Sequence, residues 1–312
     1  MAVKDAAQTI GIVGMGLMGR GIASCLLLNN FRVIAFTRPA ETLPEARRAI
    51  ASDIEDAISH GAAPATLDWS SRHVEAKSVA EFGDCDIVIE SVIEDLATKR
   101  AVFVEIESTV ARDVPIGTNT SAIPITTLQE GRLNPARIVG LHFCPPVHVN
   151  RFMEIIRGEH TDDATVQRAI DLAVSMDKEP GIVRKDVEGF VVNRIAYAMF
   201  REALHLIESG VADAETIDRC FRNVIGMWGG IMGPLRWMDL TGLPAYVAVM
   251  KRLLPKLSNT TEVPPIIEQL VARHERFHRN TPQEIQRWQE LLREHAWAMR
   301  DLSKKYFPEQ DR

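Results

Sequence analysis

Cysteine is scarce and scattered. The four cysteines in 312 residues, Cys25, Cys85, Cys144 and Cys220, form no CxxC pair, so neither a zinc knuckle nor a dense disulfide framework is indicated. Free thiols in a reducing, cytoplasmic setting and no metal site are the expectation. Also missing is any run of about 18 apolar residues that would suggest a membrane-spanning helix. The opening MAVKDAAQTI runs into an apolar strand without the basic stretch, apolar core and cleavage site of a signal peptide. Positive charge is not in excess either. Lys plus Arg number 36 against 42 Asp plus Glu, and a net charge of −6 offers no general attraction to nucleic acid or acidic lipid. Repeats and low-complexity segments are absent. What is present is a 46% apolar composition, enough to bury the cores of two domains.

The first half alternates short β-branched runs with helical patterns, as expected for parallel strands joined by crossover helices. Strands are predicted at Thr9–Val13, Arg32–Phe36, Asp86–Glu90, Val114–Thr118, Arg137–Phe143 and Phe152–Ile156. Between the second and third of these, the charge spacing predicts helix over Glu45–Gly61 and Val79–Phe82, read as an insertion beside the sheet. Beyond Lys185 the texture becomes helical. Phe190–Ser209 repeats apolar residues at three and four and ends at Gly210, while Pro282–Tyr306 is long and amphipathic. The fold class is therefore α/β: a doubly wound, Rossmann-type domain over residues 1–186, then an all-helical domain over residues 187–312.

Gly14-Met15-Gly16-Leu17-Met18-Gly19 follows the first strand and opens a helical pattern. In that setting the glycines permit a tight turn and close approach of backbone to a pyrophosphate held at the helix N-terminus, which makes Gly14, Gly16, Leu17, Met18 and Gly19 candidate dinucleotide contacts. A carboxylate at the end of the second strand would hold the ribose of NAD. Here Thr37-Arg38 stands instead, and no Asp or Glu occurs from residue 31 to residue 40. A guanidinium can pair with a 2′-phosphate, so NADP(H) is the expected cofactor and NAD(H) the alternative. Glu94 and Lys99, just past the third predicted strand, are by themselves ordinary helix-start charges.

Glu154 shares a strand face with Phe152 and Ile156, and a carboxylate in apolar company needs a charged or donating partner. His142, at the end of a neighbouring strand, can supply it. Such a pair holds the imidazole in one tautomer and suits it to exchange a proton with a hydroxyl near neutral pH.

In order from about residue 9 to residue 245, several segments together resemble the 3-hydroxyacyl-CoA dehydrogenase family. They are the glycine loop, Asn119-Thr120-Ser121, Gly140-Leu141-His142-Phe143 with Glu154 twelve positions after the histidine, Gly189-Phe190-Val191-Val192-Asn193-Arg194, and Met232-Gly233-Pro234 with Asp239 and Gly242. The resemblance implies that His142 is the general acid/base and Glu154 its orienting carboxylate. It makes Ser121 and Asn193 hydrogen-bonding partners near the substrate oxygen, and it puts Glu94, Lys99 and Asn119 on the cofactor side. A homodimer formed through the helical half is also implied, and the apolar stretch Trp228, Ile231, Leu235, Trp237 and Met238 fits that role.

This sequence departs from the family pattern where Cys144-Pro145-Pro146 replaces Phe-Asn-Pro, where Glu188 precedes Gly189, and where His274–Asn280 replaces a lysine-bearing closing segment. Residues 41–82, lysine-rich in acyl-CoA members, hold one lysine, Lys77, and three arginines, Arg47, Arg48 and Arg72. The expected activity is interconversion of a secondary alcohol, a 3-hydroxy acid or related compound, and its ketone by hydride transfer. The alternatives are an authentic 3-hydroxyacyl-CoA dehydrogenase using CoA thioesters and, from another class, a non-catalytic dinucleotide-binding sensor or structural protein. A dehydrogenase family with a similar glycine loop but a catalytic lysine on a later helix fits less well, because Phe190–Ser209 has no lysine.

Overall fold

In a computed structural model of the chain, residues 8–306 are described. Two compact units divide at Val191 and Val192. The first runs β1 (Thr9–Val13), α1 (Leu17–Leu28), β2 (Arg32–Phe36), α2 (Leu43–Ser59), β3 (His73–Glu75), β4 (Ile87–Glu90), α3 (Leu96–Thr109), β5 (Ile116–Thr118), α4 (Ile125–Gln129), β6 (Ile138–Phe143), β7 (Phe152–Ile156), α5 (Asp163–Ser175) and β8 (Glu179–Val183). The strands form one sheet in the order β3-β2-β1-β4-β5-β6-β7-β8.

Neighbouring strands are parallel except β6 and β7. Their connection, residues 144–151, is too short for the crossover a parallel return needs, so β7 comes back antiparallel. The chain walks outward from β1 through β2 to β3, then returns to β4 on the other side of β1. The carboxyl ends of β1 and β4 thus flank a switch point, the place where open α/β sheets hold ligands.

Side chains alternate between two cores along the strands. Ile10, Ile12, Val33, Ala35 and Leu141 pack with Ile22 and Leu26 of α1 and Ile50 of α2. Val13, Ile34, Phe36, Val88 and Ile116 pack with Phe103 and Ile106 of α3. Period-two alternation with both faces covered explains the near-continuous apolar runs that marked these strands in the sequence.

The six predicted strands are all present, with β4, β5 and β6 beginning one or two residues later than expected. Two further strands lay outside the reading. His73–Glu75 pairs with β2 at the sheet edge, so the expected insertion carries a strand between its helix α2 and the 3₁₀ turn Val79–Phe82. Glu179–Val183 pairs with β7. Each is a short run holding Pro, Gly or Glu, which weakens any strand signal.

The second unit is helical: α6 (Val192–Glu208), α7 (Ala214–Cys220), a π-turn at Phe221–Ile225, α8 (Gly226–Thr241), α9 (Leu243–Leu253), α10 (Pro265–Ala272) and α11 (Pro282–Tyr306). Gly210 takes φ +70° after α6, and Gly233 takes φ +73° at a kink where Pro234 interrupts α8. Helices α6 to α10 bury no residue fully; Trp297 of α11 is 4% exposed. Among the described residues, no helix is long and apolar enough to cross a membrane. All four cysteines are free thiols, and burial pushes that of Cys85 up to about 12.

Candidate active site

The loop Gly14–Gly19 leaves β1 and enters α1. Gly14 has φ +100°, and a Cβ there would lie 2.4 Å from the Ser91 carbonyl oxygen at the end of β4. A Cβ on Gly19 would lie 1.8 Å from the Gly14 carbonyl oxygen, whereas one on Gly16 would meet nothing within 4 Å. Two of the glycines therefore permit close packing, and the third leaves the turn open. No side chain caps the N-terminus of α1, and its first turn holds no acid. Backbone amides, a positive helix end and open space suit a pyrophosphate. A cavity of about 590 Å³ lies over this turn, lined by Gly14, Met15, Gly16 and Leu17 on one side and Thr37, Arg38, Ile93 and Glu105 among others. These residues fit a dinucleotide.

The structure gives Thr37 and Arg38 partners that the sequence did not suggest. The Thr37 hydroxyl accepts the Met15 N–H at 3.3 Å, pinning the glycine loop to the end of β2. The Arg38 guanidinium donates to Glu105 Oε2 of α3 at 2.8 Å and lies 5.3 Å over the Phe36 ring. Arg38 borders the cavity as expected, but with its charge already matched.

Beside the glycine loop, Glu90 at the end of β4 organises a buried network. Its carboxylate accepts from Lys99 Nζ at 2.8 Å, the Val92 N–H at 2.7 Å and the Thr118 hydroxyl at 2.7 Å. Lys99, also fully buried, reaches Glu94 Oε2 at 3.3 Å. Glu94 Oε1 in turn accepts from the Thr120 hydroxyl and from the N–H groups of Ser121 and Ala122 at 2.9 and 3.0 Å. Burial works to raise the Glu94 pKa, but the Thr120 hydrogen bond, the Lys99 charge and the two amides outweigh it and hold the carboxyl below its ordinary value.

Lys99 is therefore a buried charge rather than an exposed helix-start one, and Glu94, at the surface, braces the turn carrying Ser121. Asn119 is a second brace. Its Oδ1 accepts the Phe143 N–H at 3.0 Å, tying the end of β5 to the strand of His142.

His142 on β6 and Glu154 on β7 are direct partners in the antiparallel register. Nδ1 of His142 lies 2.6 Å from Glu154 Oε2, and Glu154 Oε1 accepts the Val191 N–H at 2.8 Å. Glu154 is fully buried and His142 is 7% exposed, with its ring 5.8 Å from that of Phe190. A carboxylate on Nδ1 fixes the proton there and leaves Nε2 as the nitrogen that can exchange a proton with a substrate. Asn193 lies in the first turn of α6, in the second unit.

Sequence reasoning missed Glu90, Glu105 and the Val191 amide. Glu90 had a signal: a carboxylate closing the apolar run Ile87-Val88-Ile89 requires a buried partner. Glu105 had none, since its partner is 67 residues away. Among the described residues, no cluster of His, Cys, Asp and Glu could hold a metal.

Residues 9–187 match the model of the 3-hydroxyacyl-CoA dehydrogenase NAD binding domain, and residues 189–288 match that of the C-terminal domain. A 5-formyl-3-hydroxy-2-methylpyridine 4-carboxylate 5-dehydrogenase from Mesorhizobium japonicum is 36% identical over 83% of this chain and 84% of its own. A 3-hydroxybutyryl-CoA dehydrogenase from Bradyrhizobium diazoefficiens is 31% identical over 81% of this chain and 86% of its own. Among solved structures, that of a 5-formyl-3-hydroxy-2-methylpyridine 4-carboxylic acid 5-dehydrogenase, described as an NAD⁺ dependent dismutase, covers 95% of this chain and 98% of its own. It aligns with a TM-score of 0.88 at 31% identity. With a nicotinamide dinucleotide-binding Rossmann unit followed by a helical unit, this chain belongs to the 3-hydroxyacyl-CoA dehydrogenase family.

Proposed function

We propose that the chain is a dehydrogenase interconverting a secondary alcohol and its ketone, with a free 3-hydroxy acid or related carboxylic acid as substrate. The observation that carries this reading is the 2.6 Å contact between His142 Nδ1 and the buried Glu154. A bound nicotinamide dinucleotide supplies the hydride acceptor or donor. Nε2 of His142 takes the hydroxyl proton in oxidation and returns it in reduction. Glu154 stabilises the imidazolium formed in between and is held in place by the Val191 amide. Ser121, its turn fixed by Glu94, is the proposed hydrogen-bonding partner of the substrate oxygen; for Asn193 a hydrogen-bonding role is proposed from the family resemblance alone.

A free acid is favoured over a CoA thioester because residues 41–82 hold only four Lys and Arg, and two of these are engaged within the protein. Arg47 pairs with Glu75 at 3.6 Å and lies over Trp69; Arg72 donates to Asn30 at 2.7 Å and to the Leu27 carbonyl. Similarity to a pyridine carboxylate dehydrogenase points the same way. Similarity to 3-hydroxybutyryl-CoA dehydrogenases supports the thioester as the second reading. Of the cofactors, NAD(H) is favoured over the NADP(H) expected from Thr37-Arg38, since Glu105 occupies the guanidinium. A paired, buried His and Glu speaks against a non-catalytic binding protein.

The chain is also proposed to form a homodimer through its helical unit, which begins at Val192. Ile195, Tyr197 and Phe200 of α6 and Ile231 and Leu235 of α8 are exposed large apolar side chains of the kind a partner subunit covers. Light scattering at micromolar concentration should give twice the chain mass. The activity is tested spectrophotometrically with a panel of free hydroxy and keto acids against acetoacetyl-CoA. Turnover of acetoacetyl-CoA alone would overturn the free-acid reading, and no turnover of any member would overturn the dehydrogenase.

A further inference from the structure

Four charged side chains line the cavity beside the glycine loop, and they cancel in two pairs. Arg20 Nη1 lies 3.1 Å from Glu45 Oε1, and Arg38 Nη2 lies 2.8 Å from Glu105 Oε2. The carboxylate that would hold the adenosine ribose of NAD at residue 37 or 38 is missing, and the Thr37 hydroxyl accepts the Met15 N–H. Glu105 brings a carboxylate to the same rim from a different element, helix α3. The side chains of Arg38 and Glu105 are 65% and 37% exposed, and pairs so open to solvent contribute little to folding. The consequence of this pair is where it places charge.

Resting on the nicotinamide-cofactor reading above, we propose that Glu105 is the cofactor-selecting residue of this chain. It occupies the one guanidinium at the β2 end suited to a 2′-phosphate and presents a carboxylate to any anion approaching Arg38. A 2′-phosphate carries roughly −1.5 to −2 charges and must break the pair or sit beside a like charge. A neutral ribose diol meets no such repulsion, so NAD(H) is selected without an acid on β2.

The test is isothermal titration of the full chain, without substrate, with NAD⁺ and NADP⁺ in parallel. Wild type is expected to bind NAD⁺ more tightly. Glu105→Gln, which frees the guanidinium and removes the carboxylate charge, should raise NADP⁺ affinity relative to NAD⁺ by tenfold or more. Arg38→Ala in that background should abolish the gain. Glu105→Ala is the second variant, with the same expectation, should the first fold poorly by circular dichroism. A wild-type preference for NADP⁺, or an unchanged ratio in folded Glu105 variants, would overturn the proposal while leaving the dinucleotide reading intact. A folded wild-type chain that bound neither cofactor would overturn both.

Discussion

Replacing Glu154 by glutamine tests the proton-handling pair most sharply, because the geometry leaves the amide no good solution. The carboxylate uses two acceptors at once, Oε2 for His142 Nδ1 at 2.6 Å and Oε1 for the Val191 N–H at 2.8 Å. Glutamine has one acceptor and one donor at these positions. With its oxygen toward Val191, its NH₂ faces Nδ1 and drives the imidazole into the other tautomer, whose protonated Nε2 cannot accept a substrate proton. With its oxygen toward Nδ1, its NH₂ faces another N–H, leaving a buried donor unsatisfied at a cost of about 1–3 kcal/mol. Either arrangement also removes the charge that stabilises the imidazolium, a charge-assisted contact of about 1.5–3 kcal/mol.

Loss of acid/base competence is ordinarily worth about 10²–10⁴ in rate, and a wrong histidine tautomer in a comparable His–Asp pair falls at the upper end. Glu154→Gln should therefore retain the fold and lower kcat for alcohol oxidation by about two to four orders of magnitude, with cofactor KM little changed. Steady-state kinetics with far-UV circular dichroism as the folding control decides it. A rate within a few-fold of wild type would refute the assignment of His142 and Glu154 as the working pair.

His142→Ala should abolish turnover while titration shows cofactor affinity within a few-fold of wild type, because the imidazole handles a proton and does not hold the dinucleotide. Gly19→Ala should cost dinucleotide binding, since its Cβ would lie 1.8 Å from the Gly14 carbonyl; unaltered affinity by titration would mean the loop is looser than described. Lys99→Met leaves Glu90 buried without its cation and should lower stability in urea by about 3–5 kcal/mol. His73 is 6% exposed with neither ring nitrogen hydrogen-bonded, and burial lowers its pKa below 6.5 against a weaker opposing effect of Glu75. The unfolded chain then takes up a proton that the folded one refuses. Stability should fall as pH drops through about 6.5 and level off below the folded pKa, and His73→Leu should flatten that decline in denaturation curves from pH 7 to 5.

The doubly wound class, six strands and the glycine turn were legible in the sequence because they depend on local rules. Apolar runs such as Ile87-Val88-Ile89 bury both faces of a strand, and a turn between strand and helix that approaches backbone closely needs glycine at Gly14 and Gly19. His142 and Glu154 were legible for a related reason, since a carboxylate among Phe152, Met153 and Ile156 must find a partner. Tertiary structure alone decided the rest. The short connection 144–151 turned β7 antiparallel and set Glu154 opposite His142. Folding α3 beside β2 brought Glu105 to Arg38 across 67 residues and changed the meaning of a strand end that, read by itself, favoured a 2′-phosphate. Glu94 and Lys99 read as helix-start charges until packing buried Lys99 against Glu90. Charge is long-ranged and indifferent to chain order, so its partners follow from the packing of distant segments, whereas strand, turn and helix follow from neighbours along the chain.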